Sequence, residues 1–498
     1  MEYGGILTWQ WFSLGSVIHL ASVIALCIHC LNTRRETTST FLWIFVAWSF
    51  PFIGSVLYLS FGIYRVPQKA LRKDRADQNL LAERRRREDD KLPLAYWRSV
   101  HEALAVEPTG TFACELNKTM DGVLSDSPLL GGNRIRILVT GDVAFPLMLN
   151  AIRQARHHIH LQSFILKNDC VGKEFVRLLA EKAAQGVSVR LMYDRFGSTQ
   201  AVFSCLFRKY RNVPNLKMVG WTQANPIKRQ FQINLRNHRK LLVVDGEKAF
   251  TGGINLDSAN IAVKGKKPIQ DYHFAIDGPI VQELQYSFLS DWYYMTNDDP
   301  EVLLQKEHFP HLPPVGTALI RVVNSGPSSS MEAIADVFFT CIVTARKQLL
   351  AVTPYLVPTS DVLRALRSAA LRGVDVRLVV PRKNNHLYAG MAGRGLYETL
   401  LTAGVRIFER NPPFMHAKAM IVDDTLALVG TANLDVRSLR LNYETNLAVY
   451  DDSFISELKK QILEEIEASD EIDLSSWQQR SSKQKLCENF CSLFAPML

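Results

Sequence analysis

One stretch of this chain occurs twice. His238-Arg239-Lys240-Leu241-Leu242-Val243-Val244-Asp245 is matched by His416-Ala417-Lys418-Ala419-Met420-Ile421-Val422-Asp423. The match runs on past the stretch itself: His238, Lys240, Asp245, Gly252 and Asn255 recur at the spacings of His416, Lys418, Asp423, Gly430 and Asn433. In each copy an apolar run reads as a strand covered on both faces, and it ends in a turn at Asp245-Gly246 or Asp423-Asp424. His and Lys two residues apart share one face of an extended chain. An imidazole that titrates near neutrality, beside a fixed ammonium, suits attack on an anionic phosphate. A single His-x-Lys is an ordinary solvated strand end. Two copies in one register are not chance.

The flanking sequence is duplicated too. Strand Ile135 to Val139, helix Phe145 to Arg156, strand Ile159 to Ile165 and helix Gly172 to Gln185 precede Gly186-Val187-Ser188-Val189-Arg190. Strand Ala318 to Val323, helix Met331 to Arg346, strand Leu349 to Val352 and helix Asp361 to Arg372 precede Gly373-Val374-Asp375-Val376-Arg377. Alternating strands and helices predict two similar α/β halves with a mainly parallel sheet. The chain divides as residues 1–66, an apolar hairpin; 67–132, a basic connector; 133–300, the first half; 301–316, a linker with Pro310, Pro313 and Pro314; 317–468, the second half; and 469–498, a tail.

This pattern resembles the phospholipase D superfamily, whose signature is H-x-K-x4-D followed by a Gly/Asn segment. The likeness covers about Arg134 to Tyr450 with both motifs intact. It implies two halves packed face to face around one active site. Its catalytic set is His238, Lys240, Asp245, His416, Lys418 and Asp423, supported by Asn255 and Asn433.

From Leu7 to Leu31 the chain carries no formal charge, only His19 and His29, and from Phe41 to Tyr64 none at all. A bilayer crossing takes about 20 apolar residues, so both runs are expected to span, with Trp9, Trp11, Trp43 and Tyr64 near their ends. Arg34 and Arg35 lie between the runs. Arg65, Lys69, Arg72, Lys73, Arg75 and Arg84 to Arg87 follow them. The larger basic cluster predicts a cytoplasmic N-terminus and catalytic part. Beside a membrane it attracts anionic headgroups, at about 1 kcal/mol per basic residue. A nucleic-acid role would need no such hairpin, so nucleic acid is not an expected partner. Pro51 to Gly62 resembles the second membrane segment of bacterial cardiolipin synthases, and with two phospholipase D motifs behind it the whole chain is similar to that family. The resemblance implies a multi-pass protein of the bacterial inner membrane that moves a phosphatidyl group between two phosphatidylglycerol molecules, giving cardiolipin and glycerol. A membrane-bound phospholipase D, or a transferase using phosphatidylethanolamine or another alcohol, is the alternative.

The chemistry asks for no cofactor and no metal: Lys240 and Lys418 stand where a metal would neutralise the phosphate, with Asn255 and Asn433 donating to the same oxygens. One neutral imidazole attacks phosphorus and the other protonates the leaving alcohol. The family precedent gives attack to His238 and acid–base work to His416. Asp245 and Asp423 have opposite strand parity to the histidines and sit in turns, which predicts a structural part for both. Each histidine needs a carboxylate on its far nitrogen. By family position these are Asp271 and Glu444, each downstream of the histidine of its own half.

Three further features are read as bystanders. His157, His158 and His160 are taken as surface or strand-edge residues. Cys27 and Cys30 lie in an apolar run where buried thiols are common, and the eight cysteines show no framework spacing, which points to a reducing compartment. Leu486, Phe490, Leu493 and Phe494 form an apolar helical face expected to dock on the domain.

Overall fold

The computed structural model describes residues 3–32, 37–59, 66–89, 107–124, 127–221, 235–263, 265–327 and 333–493. It has two compact units, Met1–Lys69 and Ala70–Leu498.

In the second unit the strands are β1 (Leu129–Val139), β2 (His158–Ser163), β3 (Ser188–Asp194), β4 (Leu216–Trp221), β5 (Leu241–Val244), β6 (Lys248–Gly252) and β7 (Tyr272–Asp277), then β8 (Ala318–Ser325), β9 (Gln348–Val352), β10 (Asp375–Pro381), β11 (Arg406–Arg410), β12 (Ala419–Val422), β13 (Leu426–Gly430), β14 (Glu444–Tyr450) and β15 (Ser469–Glu471). They form one sheet in the order β15-β11-β10-β9-β12-β13-β14-β8-β1-β7-β6-β5-β2-β3-β4. Apart from β15, the order reads the same outward from the central β8–β1 pair. Each strand of the first half thus has a counterpart in the second.

The sheet is not mainly parallel. Only β2-β3-β4 and β9-β10-β11 run parallel; the other neighbours are antiparallel. The expectation weighed the helices Cys170–Ala184 and Ser360–Leu371, which do make parallel crossovers. The tight turns after Val244 and Val422 instead fold the motif strands into antiparallel hairpins with the strands that follow.

Both motif strands are covered on both faces, as their apolar runs require. Leu241, Val243, Ala419 and Ile421 enter a core shared by the two halves. Leu242 and Val244 pack under the helices of the first half, Met420 and Val422 under those of the second.

The signature aspartates hold this arrangement together. Asp245 sits at the far end of β5 from His238, seven residues along the chain, or about 23 Å if fully extended. Its carboxylate accepts from the backbone N–H of Arg156 (2.8 Å), His157 (2.8 Å) and His158 (2.9 Å), where β2 begins. Asp423 repeats the pattern with Arg346 (2.7 Å), Lys347 (2.7 Å) and Gln348 (2.8 Å). Both lie in the left-handed region, at φ 54° and 50°, which aspartate tolerates better than most residues. Their place at the remote end of the strand separates them from the histidines more directly than parity does.

Several expectations need correcting. The connector at 67–132 is built into the catalytic unit: Lys73 and Arg84 turn inward to Asp291 (3.3 Å) and Glu283 (2.8 Å) instead of facing outward as headgroup ligands. The helix Thr111–Val123 buries Leu116 and Met120 in the core of the second half. β1 starts at Leu129, before the expected boundary. His158 and His160 are interior residues of β2, in tilted and edge-on ring contact with each other and with His308 around Arg190 and Gln285. Burial holds all three imidazoles below the usual histidine pKa, and so neutral. The tail helix Ser482–Ser492 docks through Glu488, paired with Arg394 and Arg480, and leaves Leu486, Phe490 and Leu493 exposed.

In the first unit, Tyr3–Asn32 is one helix, and its Leu14–Asn32 part is long and apolar enough to cross a membrane. The second apolar run is not one helix. It forms Thr37–Ser49, breaks at Phe50–Phe52, and resumes as Ile53–Leu57; residues 60–65 lie outside the described residues. Pro51 removes a backbone donor, and Phe52 takes φ 61°. The pieces are pinned to the first helix by Ser22–Ser55 (3.0 Å) and by His29 Nδ1–Tyr58 Oη (2.6 Å), which accounts for polar groups in an apolar run.

Removing the Asp245 carboxylate leaves three backbone donors without their acceptor. Asp245→Ala is expected to lower stability by about 1–3 kcal/mol, seen as a lower thermal unfolding midpoint of the purified protein in detergent. An unchanged midpoint contradicts the structural role.

Candidate active site

The segments leading into β5 and β12 carry the histidines, and each is clamped by the other half. His238 N donates to Tyr443 O (2.9 Å) and Tyr443 N to Arg236 O (2.9 Å). In the mirror arrangement His416 N donates to Gln270 O (2.7 Å) and Gln270 N to Phe414 O (2.9 Å). Of the next residues, Glu444 opens β14 and Asp271 immediately precedes β7.

This clamp decides the carboxylate partners. His238 Nδ1 meets Glu444 Oε2 at 2.9 Å, and His416 Nδ1 meets Asp271 Oδ2 at 2.7 Å. The expected acids are therefore present, but each serves the histidine of the opposite half, not its own. Linear order cannot reveal that exchange, because it arises from the β1–β8 junction that sets the two halves against each other.

Both acids are fully buried. Burial alone would raise them, but Lys418 and His416 pull Asp271 below the usual carboxylate range. His238 and Lys240 do the same for Glu444. Ionised acids take the Nδ1–H of each imidazole and leave Nε2 with its lone pair. Thr431 Oγ1 (2.5 Å) and Asn442 Nδ2 (3.2 Å) further fix Glu444. Burial lowers both histidines to about 4, against the pull of their carboxylates, so each is neutral near neutrality.

The lysines bend back along their own segments. Lys240 Nζ donates to His238 O at 2.7 Å, and Lys418 Nζ to His416 O. Lys418 Nζ also lies 2.8 Å from His416 Nδ1. That nitrogen has a single site, already given to Asp271, so the contact is one of charge beside ring. Burial pushes Lys240 down to about 7 and Lys418 to about 8, and the charge of Lys418 adds to the fall at Lys240.

The asparagines differ. Asn255 Oδ1 accepts from Ile165 N (3.1 Å), which turns its amide nitrogen the other way; Asn433 Nδ2 donates to Asp435 (3.0 Å). The signature glycines are needed for close approach: Gly252 and Gly430 sit at φ 147° and 154°, and a Cβ would lie 2.7 Å from Tyr272 O or 2.5 Å from Thr445 O.

Asp291, on the helix Val281–Thr296, went unforeseen. Its Oδ2 holds Asn237 Nδ2 (2.9 Å), Arg239 Nη1 (2.9 Å) and Gln162 Nε2 (2.8 Å). Odd-numbered residues around His238 thus anchor inward while His238 and Lys240 project to the other side. An acid beside Trp292 on a buried helix face was the available signal. Among the described residues no group of three or more His, Cys, Asp or Glu gathers as a metal site.

A duplicated fold that brings two H-x-K-x4-D motifs to one centre, each histidine oriented by the opposite half, is a phospholipase D-like site. The family model "Cardiolipin synthase, PLD-like domain" matches residues 148–292 and 338–466, and "Phospholipase_D-nuclease N-terminal" matches 21–62. A cardiolipin synthase of Geobacillus thermodenitrificans is 33% identical, covering 97% of this chain and 92% of its own. Cardiolipin synthase 1 of Bacillus anthracis is 31% identical, covering 98% and 94%. The crystal structure of phosphatidylserine synthase from Haemophilus influenzae superposes with a TM-score of 0.56 at 16% identity, over 77% of this chain and 100% of its own. The chain belongs to the cardiolipin synthase family, and its activity is that of a phosphatidyltransferase.

A lysine is charged below its pKa and loses its charge as pH rises through it. With Lys240 near 7 and Lys418 near 8, kcat/KM for an anionic lipid is expected to decline as pH rises through those values. A profile flat up to the ordinary lysine range contradicts the burial effect.

Proposed function

We propose that the protein transfers the phosphatidyl group of one phosphatidylglycerol to the glycerol hydroxyl of another, forming cardiolipin and releasing glycerol. The observation that carries this reading is the pair of crossed His–carboxylate contacts, His238–Glu444 and His416–Asp271. They leave two Nε2 atoms available to one phosphate.

In this reading His238 Nε2 attacks phosphorus while His416, protonated once the anionic phosphate is present, gives its proton to the departing glycerol. A P–N bond forms and a P–O bond breaks. His416 then takes the proton of the incoming hydroxyl, which attacks the phosphatidyl-histidine and frees His238. Lys240 and Lys418 carry the phosphate charge, with the Asn255 and Asn433 amides near the same oxygens. Asp271 and Glu444 hold the tautomers and stabilise the imidazolium forms. Asp245 and Asp423 fix the strands.

The apolar helix Leu14–Asn32 supports an inner-membrane location. We assign the second apolar run to the bilayer as well, broken at Pro51, with the N-terminus and catalytic unit on the cytoplasmic side. Both substrates are then membrane lipids reached at the surface.

Purified protein in detergent, given labelled phosphatidylglycerol alone and excess chelator, is expected to yield cardiolipin and glycerol by lipid mass spectrometry. Phosphatidic acid as the main product would make water the acceptor. Cardiolipin only after adding phosphatidylethanolamine would change the donor. Complete loss in chelator, restored by Mg²⁺, would overturn the role of the lysines.

A further inference from the structure

The two halves match at the signature positions of the motifs, yet they differ in charge at neighbouring positions, two of which flank the approach to Glu444. Arg236, two residues before His238, stands where the second half has Phe414. Arg437, two residues after Asp435, stands where the first half has Ala259, two after Asp257. The equivalence is structural. Arg236 O accepts from Tyr443 N and Phe414 O from Gln270 N, both at 2.9 Å. Arg437 O accepts from Leu441 N (2.8 Å) and Asn442 N (2.9 Å), as Ala259 O does from Ile269 N (2.9 Å).

Both arginines are therefore anchored on one stretch, Leu441 to Tyr443, which leads into Glu444. The mirror place, leading into Asp271, has a phenylalanine and an alanine. The duplicated site is symmetric in its catalytic groups and asymmetric in charge.

Arg236 shares the parity of His238 and Lys240, so it projects to their side of the extended segment. It is 8% exposed, with its guanidinium carbon 3.3 Å from the centre of the Phe196 ring. Its buried Nη1 has no hydrogen-bond partner. The adjacent acid, Asp194, accepts from the backbone N–H of Phe196 (2.9 Å), Gly197 (3.0 Å) and Asn237 (3.1 Å). The acid beside Arg437, Asp435, accepts from Ser438 N (2.6 Å) and Asn433 Nδ2 (3.0 Å). Burial first, and then the like charge of Arg437, lowers Arg236 to about 10. Arg236 carries an unpaired buried donor and feels the charge of Arg437, and an anion received there satisfies the donor and offsets the repulsion.

We propose that Arg236 and Arg437 bind the phosphate of the second, acceptor lipid while its glycerol hydroxyl attacks the phosphatidyl-histidine. This rests on the transfer reaction proposed above. One lipid phosphate is taken by the histidines and lysines, and the other needs a separate cationic place within a glycerol's length. Two extended residues span about 7 Å, which is the scale on which Arg236 sits from His238. The P–O bond formed, the P–N bond broken and the proton passed to His416 are those of the main reaction; the arginines only position the acceptor.

The test compares two acceptors of the same donor. Exchange of labelled glycerol into phosphatidylglycerol uses an acceptor without phosphate, and cardiolipin formation uses one with it. In Arg236→Gln and Arg437→Gln the ratio of cardiolipin formation to glycerol exchange is expected to fall about 10–100-fold, with a raised KM for the acceptor lipid. Arg437→Lys should recover part of the ratio. Arg437 is half-buried on a short helix, so its variant keeps the test decisive even where Arg236→Gln fails to fold. Equal loss of both reactions in Arg437→Gln, or an unchanged ratio, overturns the subsite. Wild-type protein that makes no cardiolipin overturns the reaction itself, a different outcome.

Discussion

Two crossed hydrogen bonds, His238–Glu444 and His416–Asp271, are what the rest of the catalytic unit is arranged to make. Neither half can orient its own imidazole. Each supplies a histidine to the site and a carboxylate to the other half's histidine. The β1–β8 pairing and the backbone clamps at Tyr443 and Gln270 set these contacts to hydrogen-bond length. A buried carboxylate is costly unless paired. The four groups together settle that cost, and separating the halves would expose it. This favours one molecule carrying both halves over two independent domains.

Burial then tunes the site. In water the lysines would stay charged well above neutrality and the histidines would titrate near 6.5. Here desolvation lowers all four, so the imidazoles are neutral and the lysines are more easily discharged near neutral pH. An arriving phosphate restores charge to whichever groups face it. Substrate binding and proton supply are coupled in this way, and Asp291 beneath the first motif keeps Asn237 and Arg239 from competing for the phosphate.

The motif strands and the duplicated order of elements were legible because they depend on local pattern: apolar runs, turn residues and fixed spacing; the two carboxylates were named only through family resemblance. What escaped depends on long-range geometry. The exchange of Asp271 and Glu444 between histidines follows from how the halves meet. His158 and His160 look like solvent residues in sequence, but β2 lies between β3 and β5, and helix Val281–Thr296 covers them with Gln285. The second apolar run has the composition of a span, and a single Pro51–Phe52 break divides it. Lys73 and Arg84 read as headgroup ligands until the acids they meet, Asp291 and Glu283, are seen more than 190 residues away.

The central claim is that each histidine is governed by the acid of the other half, with His238 the nucleophile. Rapid-quench trapping of the phosphatidyl–enzyme adduct, mapped by peptide mass spectrometry, tests it in two variants. Glu444→Gln should suppress adduct formation on His238. Asp271→Asn acts on the acid–base partner His416, so whatever adduct forms on His238 should persist instead of turning over. An adduct lost in Asp271→Asn but formed normally in Glu444→Gln, or one found on His416 alone, would contradict the account.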